Sequence, residues 1–137
     1  SLEVATMLEA EGIDAIELSG GVLVGGKLSP SRVGIKSAEK EAYFQDDARA
    51  FKKKVDVPLI LIGGNRSYQV ADRLINEGTV DYISMSRPFI REPDLINRWQ
   101  AGDLSKAACV SDNMCFKPAM KGDGIYCLTE ERERKRP

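Results

Sequence analysis

Two kinds of hydrophobic pattern alternate along the chain. Short, nearly continuous apolar runs predict strands at 13–18, 57–62 and 80–85, where the last two read VPLILI and VDYISM. Apolar positions three or four residues apart predict helices at 2–11, 38–54, 67–77 and 94–100. Between the first strand and the second helix, residues 19–37 hold five glycines and one proline, which predicts a long loop. Ser67 is placed to cap the third helix.

This alternation of strands and helices predicts an α/β fold with a parallel sheet and helices packed outside it. Two arrangements satisfy the pattern, an open doubly wound sheet and part of a (β/α)8 TIM barrel. We favour the partial barrel, because turns with phosphate-binding features follow two successive strands and the long loop follows the strand before them. Barrels of this kind commonly bind phosphate after their last two strands.

The two turns carry residues that suit an anion. Gly63 and Gly64 follow the second predicted strand, and the absence of a Cβ lets an oxyanion approach the main chain closely. Arg87 follows the third predicted strand and offers a planar set of donors that matches a phosphate. A helix begins after each turn, and its free N–H groups favour negative charge. We therefore predict one shared ligand, a phosphorylated cofactor or substrate.

Composition narrows the class of protein. The formal net charge of -1 over 137 residues gives no indication of a general affinity for nucleic acid. An apolar content of 42% is enough for a core, and no apolar stretch approaches the roughly 18 residues of a membrane span. Three cysteines, all after residue 108, argue against a disulfide framework and favour a reducing, cytoplasmic compartment.

The length is short for a barrel, which needs about 250 residues. Three parallel strands cannot close on themselves, and their outer edges would expose unpaired N–H and C=O groups. We expect the chain to be a fragment of a longer enzyme, although two copies that complete each other's sheet are an alternative. We also expect an isolated sample to self-associate through a strand edge.

Three sequence blocks resemble a known family. IELSGG, PLILIGGN and DYISMSRPFIREPDL are similar to the C-terminal part of the old yellow enzyme family, which comprises FMN-dependent NAD(P)H:flavin oxidoreductases and ene-reductases on a (β/α)8 barrel. The last block is the most specific one. The resemblance implies that the three strands are the sixth, seventh and eighth of the barrel, within a flavin-binding domain at 1–104.

The resemblance also implies a role for particular residues. Gly63, Gly64 and Asn65 match the turn whose main-chain amides hold the FMN phosphate in the family. Ser86 and Arg87 match a glycine–arginine pair that completes the phosphate site. Ser86 departs from the family's glycine, and its Cβ could hinder close approach.

The family's redox residues have no counterpart here. The resemblance places a substrate-anchoring histidine pair and a catalytic tyrosine on the first five strands, and this chain has no histidine. In the intact enzyme NAD(P)H would reduce FMN, which would pass hydride to a small-molecule acceptor such as an activated alkene. We assign no catalytic residue to this chain, and expect little or no hydride transfer from it alone.

The tail at 105–137 resembles the cysteine-containing linker of 2,4-dienoyl-CoA reductase-like members, which bind a [4Fe–4S] cluster through four cysteines. Here the cysteines are Cys109, Cys115 and Cys127, and Asp112 stands near the place of the missing one. A cluster needs four such ligands, so we favour a relic of the linker with free thiols over the alternative that the three thiolates and Asp112 hold a metal. The charged end at 130–137 is expected to be frayed.

Other interpretations remain open from the sequence. The chain could be half of another phosphate-binding barrel, such as a sugar-phosphate isomerase or synthase, or a non-catalytic interaction module. Arg87 could instead pair with Glu92, Asn65 could serve only as a turn residue, and Arg66 could be solvated. Glu17 could pair with a neighbouring barrel strand, and Trp99 is expected in the core.

Overall fold

A computed structural model describes residues 1–22 and 25–136 of the chain. Leu23, Val24 and Pro137, which belong to the predicted loop and the predicted frayed end, lie outside the described residues. The strands are β1 (Ile16–Leu18), β2 (Leu59–Leu61) and β3 (Tyr82–Ile83). The α-helices are α1 (Leu2–Ala10), α2 (Gln45–Lys52), α3 (Tyr68–Asn76), α4 (Arg87–Arg91), α5 (Leu95–Gln100), α6 (Phe116–Lys121) and α7 (Leu128–Arg134). Short 3₁₀ helices lie at Gly26–Leu28 and Ala38–Lys40.

The three strands form one parallel sheet in the order β1-β2-β3, as the alternating pattern predicts. Leu61 is the register partner of Leu18 on one side and of Ile83 on the other. Leu59 and Leu61 of the central strand are fully buried, which explains why the run at 57–62 is almost entirely apolar. Strands β1 and β3 are the edges of this sheet, and Glu17 of β1 is exposed. No described helix is long and apolar enough to span a membrane.

Two hydrophobic clusters surround the sheet. The larger one packs Phe44, Phe51 and Leu74 of the flanking segments against the leucines of β2. The smaller one contains Leu95, Trp99 and Ala107, with Tyr68 edge-on to Trp99 at a centroid distance of 5.8 Å. Trp99 is a core residue, as its helical spacing from Leu95 predicts. The smaller cluster joins the tail to α5, because Ala107 lies after that helix in the chain.

The predicted helix at 38–54 is interrupted. A 3₁₀ turn ends at Lys40, Ala42 adopts a positive φ of 48°, and α2 begins only at Gln45. The backbone N–H of Tyr43 donates instead to the oxygen of Gly63, at 3.1 Å. This break turns the segment at 41–44 toward the end of β2, so that Tyr43 lines the site described below.

The tail contains more regular structure than expected. Residues of the charged end that we expected to be frayed form part of helix α7, and Lys135, directly after the helix, pairs with Glu131 at 2.5 Å. Glu133 of the same helix binds Arg91 of α4, also at 2.5 Å. Pairs four residues apart support a helix locally, and the contact with α4 attaches it to the rest of the fold.

Asp81 connects the end of α2 to the central strand. Its Oδ2 accepts a hydrogen bond from Lys52 Nζ at 2.6 Å and from the N–H of Leu59 at 2.8 Å. The hydrogen bond from Lys52 holds the pKa of this carboxyl below its usual value, and the bond from Leu59 acts in the same direction. The ionised form is therefore the one that the fold stabilises.

We predict that Asp81→Asn destabilises the fold at neutral pH and that this difference shrinks in acid. A carboxyl whose pKa is lowered by folding contributes stability above its unfolded pKa of about 3.9, and this is lost as pH falls through the folded value. Urea unfolding of the wild type and the variant across this range measures the difference. Asp72→Asn on the exposed side of α3 is the control. A pH-independent difference for Asp81→Asn would contradict the prediction.

Candidate anion-binding site

The carboxyl ends of β2 and β3 are tied together by one buried side chain. Nδ2 of Asn65 donates to the oxygen of Leu61 at 2.8 Å and to the oxygen of Ser84 at 3.1 Å. Asn65 is 4% exposed, and its Oδ1 has no hydrogen-bond partner among the described residues. The Asn65 amide group therefore bridges the strand ends, and its backbone N–H is the group left to meet a ligand.

The five predicted site residues lie around one cavity. Gly63, Gly64 and Asn65 form one wall, and Ser86 with Arg87 forms another, around a volume of about 280 Å³. Ser111 and Phe116 of the tail line the same cavity. Their arrangement brings both strand ends together, while their role as ligands stays a prediction.

The main chain supplies free donors at this cavity. In the described part of the chain, the N–H groups of Gly63, Gly64, Asn65 and Ser86 donate no hydrogen bond. Successive main-chain N–H groups in such turns form a concave site that favours an anion. The main chain alone therefore offers several N–H donors to an anion in this cavity, without any contribution from a side chain.

The two N–H groups that directly precede the first residue of α3 already bind an internal carboxylate. The carboxylate of Glu41 accepts hydrogen bonds from the N–H of Arg66 (2.9 Å), the N–H of Ser67 (2.8 Å) and the hydroxyl of Ser67 (2.6 Å). Glu41 is 1% exposed. An internal carboxylate thus occupies the helix terminus, and Ser67 donates to that carboxylate instead of capping the helix with its side chain.

The two glycines are required by aromatic packing. Gly63 and Gly64 have φ of 124° and 77°, in the region that favours glycine. A Cβ on Gly63 would lie 2.8 Å from a ring carbon of Phe44, and one on Gly64 would lie 2.8 Å from the ring of Tyr43. The space that the missing Cβ atoms leave is filled by these rings, so an anion would approach from the N–H side.

Arg87 is held by neutral acceptors. Its Nη1 donates to the oxygen of Arg32 at 2.9 Å and to Oδ1 of Asn113 at 2.6 Å. The alternative pairing with Glu92 is not observed, because Glu92 binds Arg98 at 2.6 Å. Among the described residues, no carboxylate neutralises Arg87 by an ion pair. Its charge remains available to a ligand.

Sequence reasoning missed three residues around the site. Glu41 was hidden inside a predicted helix, and nothing in its local sequence indicates that its carboxylate is buried. Arg66 is buried rather than solvated, because its guanidinium donates to the oxygens of Ile35 and Ala107. Asn113 lies in the tail, and nothing in its local sequence indicates a contact with Arg87.

The cysteines of the tail are free thiols in the structure. Cys109 and Cys115 are buried, and burial raises the pKa of the Cys115 thiol. Cys127 accepts a hydrogen bond from the N–H of Glu130 at the start of α7, and Asp112 accepts one from the Thr129 hydroxyl. The described residues contain no group of three histidine, cysteine or acidic side chains placed to hold a metal.

The chain belongs to the NADH:flavin oxidoreductase / NADH oxidase family, whose sequence profile matches residues 2–105. This is the class that includes the old yellow enzyme homologues, in agreement with the resemblance of its three sequence blocks. The matched region contains the sheet and both turns of the cavity.

Several characterised relatives are similar to this chain. A 4,4'-dithiodibutanoate disulfide reductase of Rhodococcus erythropolis is 27% identical over 89% of the chain and 37% of the relative. An NADH oxidase of Thermoanaerobacter brockii is 27% identical over 82% of the chain and 17% of the relative. The NADH-dependent flavin oxidoreductase iccE of Talaromyces variabilis is 33% identical over 67% of the chain and 23% of the relative. The chain thus spans well under half the length of these relatives.

A solved structure shows the same fold. The old yellow enzyme homologue from Zymomonas mobilis superposes with a TM-score of 0.51 and 22% identity, over 80% of this chain and 28% of that one. At this level of identity the likeness concerns the fold alone. It matches the parallel α/β arrangement to the TIM barrel of that family.

We predict that Gly64→Ala destabilises the fold more than Gly78→Ala. Both glycines have positive φ, so alanine strains the backbone at each by about 1 kcal/mol. Only at Gly64 does the new methyl group also meet a ring, whose hydroxyl is held by the oxygen of Pro30 at 2.7 Å. Overpacking adds about 1–3 kcal/mol. Urea unfolding at neutral pH measures both changes, and equal losses would show that the Tyr43 contact is unimportant.

Proposed function

We propose that this chain is the FMN phosphate-binding part of an NADH-dependent flavin oxidoreductase. One observation supports the proposal above others: in the described part of the chain, free main-chain donors from two neighbouring strand ends and an arginine without an acidic partner surround one cavity. In this proposal Gly63, Gly64, Asn65 and Ser86 donate through their N–H groups, and Arg87 supplies the positive charge. The names of the relatives agree with this proposal, because they include NADH-dependent flavin oxidoreductases.

The donor set fits a phosphate and the size of the cavity fits a headgroup. Pockets for whole small molecules enclose roughly 300–1,000 Å³, and this cavity encloses about 280 Å³. A dianion there would meet several N–H groups and a guanidinium, and charge-assisted bonds of this type are roughly twice as strong as neutral ones. Glu41 lies on the other side of the turn, where Arg66 and Ser67 already satisfy it.

In the proposed assignment β1, β2 and β3 are the sixth, seventh and eighth strands of the barrel. Residues 1–104 form the end of the flavin domain, and residues 105–137 form the following tail. The outer edges of β1 and β3 would pair with the fifth and first strands of the intact barrel. Such pairing would also cover Tyr82, which is 59% exposed at the β3 edge.

When bound, FMN supplies hydride transfer between a reduced nicotinamide nucleotide and a small acceptor. The residues of this chain would bind the phosphate, fix the direction of the ribityl chain and limit access of water at the glycine turn. A three-stranded sheet cannot enclose a flavin ring, so we propose that the chain alone lacks hydride-transfer activity. The choice between NADH and NADPH and the natural acceptor belong to the remainder of the enzyme.

We predict that the chain binds FMN more tightly than riboflavin, which lacks the phosphate. Arg87→Ala should weaken FMN binding by about 10- to 100-fold, because a hydrogen bond to a charged group contributes about 1.5–3 kcal/mol. Riboflavin binding should not change. Quenching of flavin fluorescence during a titration measures both affinities.

Arg73→Ala is the matched control, since Arg73 pairs with Glu77 on the exposed face of α3. It removes the same charge at a distance from the cavity. The proposal fails if FMN shows no saturable binding, or if Arg73→Ala weakens it as much as Arg87→Ala does.

We also propose that the isolated chain self-associates through the edge of β1. The N–H of Ile16 points to β2, where it donates to the oxygen of Pro58 at 2.9 Å. The N–H of Glu17 therefore points away from the sheet and can pair with another strand. Sedimentation velocity across a concentration series should show a rising average mass for the wild type.

Glu17→Pro should reduce this association without breaking the β1–β2 ladder, because proline removes only the outward donor. The matched comparison is Glu17→Thr, which keeps the N–H and favours a strand. A wild-type chain that stays monomeric at every concentration would contradict the proposal.

A further inference from the structure

The first part of the tail is fixed to the loops around the cavity. The N–H of Ala107 donates to the oxygen of Arg66 at 2.9 Å, and the Arg66 guanidinium donates back to the oxygen of Ala107 at 3.2 Å. Further along, the oxygen of Ser111 accepts a hydrogen bond from the N–H of Gly34 at 3.0 Å. Ser111 is 2% exposed. This segment is therefore part of the wall of the site and not a free linker.

Asn113 joins this segment to both the long loop and Arg87. Its Nδ2 donates to the oxygen of Ser31 at 2.8 Å, and its Oδ1 accepts the Ser31 hydroxyl at 3.0 Å. The same Oδ1 accepts Nη1 of Arg87 at 2.6 Å. Asn113 has a φ of 60°, a left-handed conformation that asparagine tolerates better than most residues. Both ends of the amide are thus fixed in orientation.

The neutrality of this contact distinguishes Arg87 from the next two arginines along the chain. Arg91 and Arg98 bind the carboxylates of Glu133 and Glu92. Arg87 is held instead by an amide oxygen and a backbone oxygen. An amide can fix the direction of a guanidinium while leaving its positive charge uncompensated. That combination suits a side chain that must meet an anion in a set position.

We propose that Asn113 is a positioning residue for the anion site, and that the tail thereby contributes to phosphate binding. This inference rests on the proposed function, because it assumes that Arg87 meets the FMN phosphate. Asn113 acts through Arg87 and touches no ligand itself. The Ser31 contacts hold the amide, the amide holds Nη1, and the remaining guanidinium nitrogens face the ligand.

The first test compares FMN with riboflavin in the full chain. Asn113→Ala should weaken FMN binding about 3- to 30-fold and leave riboflavin binding unchanged, because only the phosphate depends on Arg87. Asn113→Asp keeps an acceptor for Nη1 but loses the Nδ2 donor to Ser31 and adds a negative charge beside the phosphate, so it should also weaken FMN binding. A purely structural role would instead predict equal losses of affinity for both flavins.

Thr129→Ala is the control within the tail. Its hydroxyl donates to Asp112 at 2.5 Å, next to Asn113, without contact to Arg87. It should leave FMN affinity at the wild-type level. An Asn113→Ala variant with wild-type FMN affinity would overturn the inference.

A second readout does not depend on flavin binding. In ¹⁵N NMR of the ligand-free chain, the guanidinium N–H signals of Arg87 should be visible in the wild type, because the contact with Asn113 restricts the group. In Asn113→Ala these signals should be lost through solvent exchange or rotational averaging. If these signals change but the wild type binds no FMN, the positioning stands and the proposed function fails. If the signals are the same in both proteins, the positioning inference is wrong whatever the affinity for FMN.

Discussion

The hydrogen bonds of Asn65 to the ends of β2 and β3 are the constraint on which the site depends. One buried amide donates to the oxygen of Leu61, which also accepts the N–H of Ser84, and to the oxygen of Ser84. Leaving the Ser84 oxygen unsatisfied would cost about 1–3 kcal/mol. Because the strands are parallel neighbours, this link also sets the distance between the glycine turn and Arg87. The cavity therefore depends on the order of the strands and on the side chain of Asn65.

Charge around this link is arranged in two different ways. At the start of α3 a buried carboxylate from Glu41 satisfies the N–H groups of Arg66 and Ser67. At the end of β3 the arginine is held by neutral groups and keeps its charge. The carboxylate of Glu41 is therefore an internal anion at the start of α3, whereas the position beside Arg87 is left for an external anion. Family membership makes a flavin phosphate the natural candidate for that position.

The first part of the tail is bonded to the region that the family profile matches. That profile ends at residue 105, but backbone and side-chain hydrogen bonds continue from the loops to Ala107, Ser111 and Asn113. Ala107 also completes the small core around Trp99. The first residues of the tail therefore form part of the wall of the cavity.

The sheet and the two turns could be predicted from the sequence because their signals are local. Continuous apolar runs mark buried strands, and glycines or an arginine directly after them mark the ends. The interruption at Glu41 could not be predicted, because helical spacing continues through it and the reason for the break lies 25 residues away at Arg66. The role of Asn113 was hidden for the same reason, since its partner Ser31 is 82 residues distant. Local patterns carry no information about such contacts.

The central claim is that both strand ends bind one anion together, and an FMN titration followed by ¹H–¹⁵N correlation NMR tests it most directly. The account predicts that the amide signals of Gly63, Gly64, Asn65, Ser86 and Arg87 shift together with one dissociation constant. The amides of Arg66 and Ser67, already bonded to Glu41, should move little. Shifts confined to one turn, or centred on the start of α3, would contradict the account.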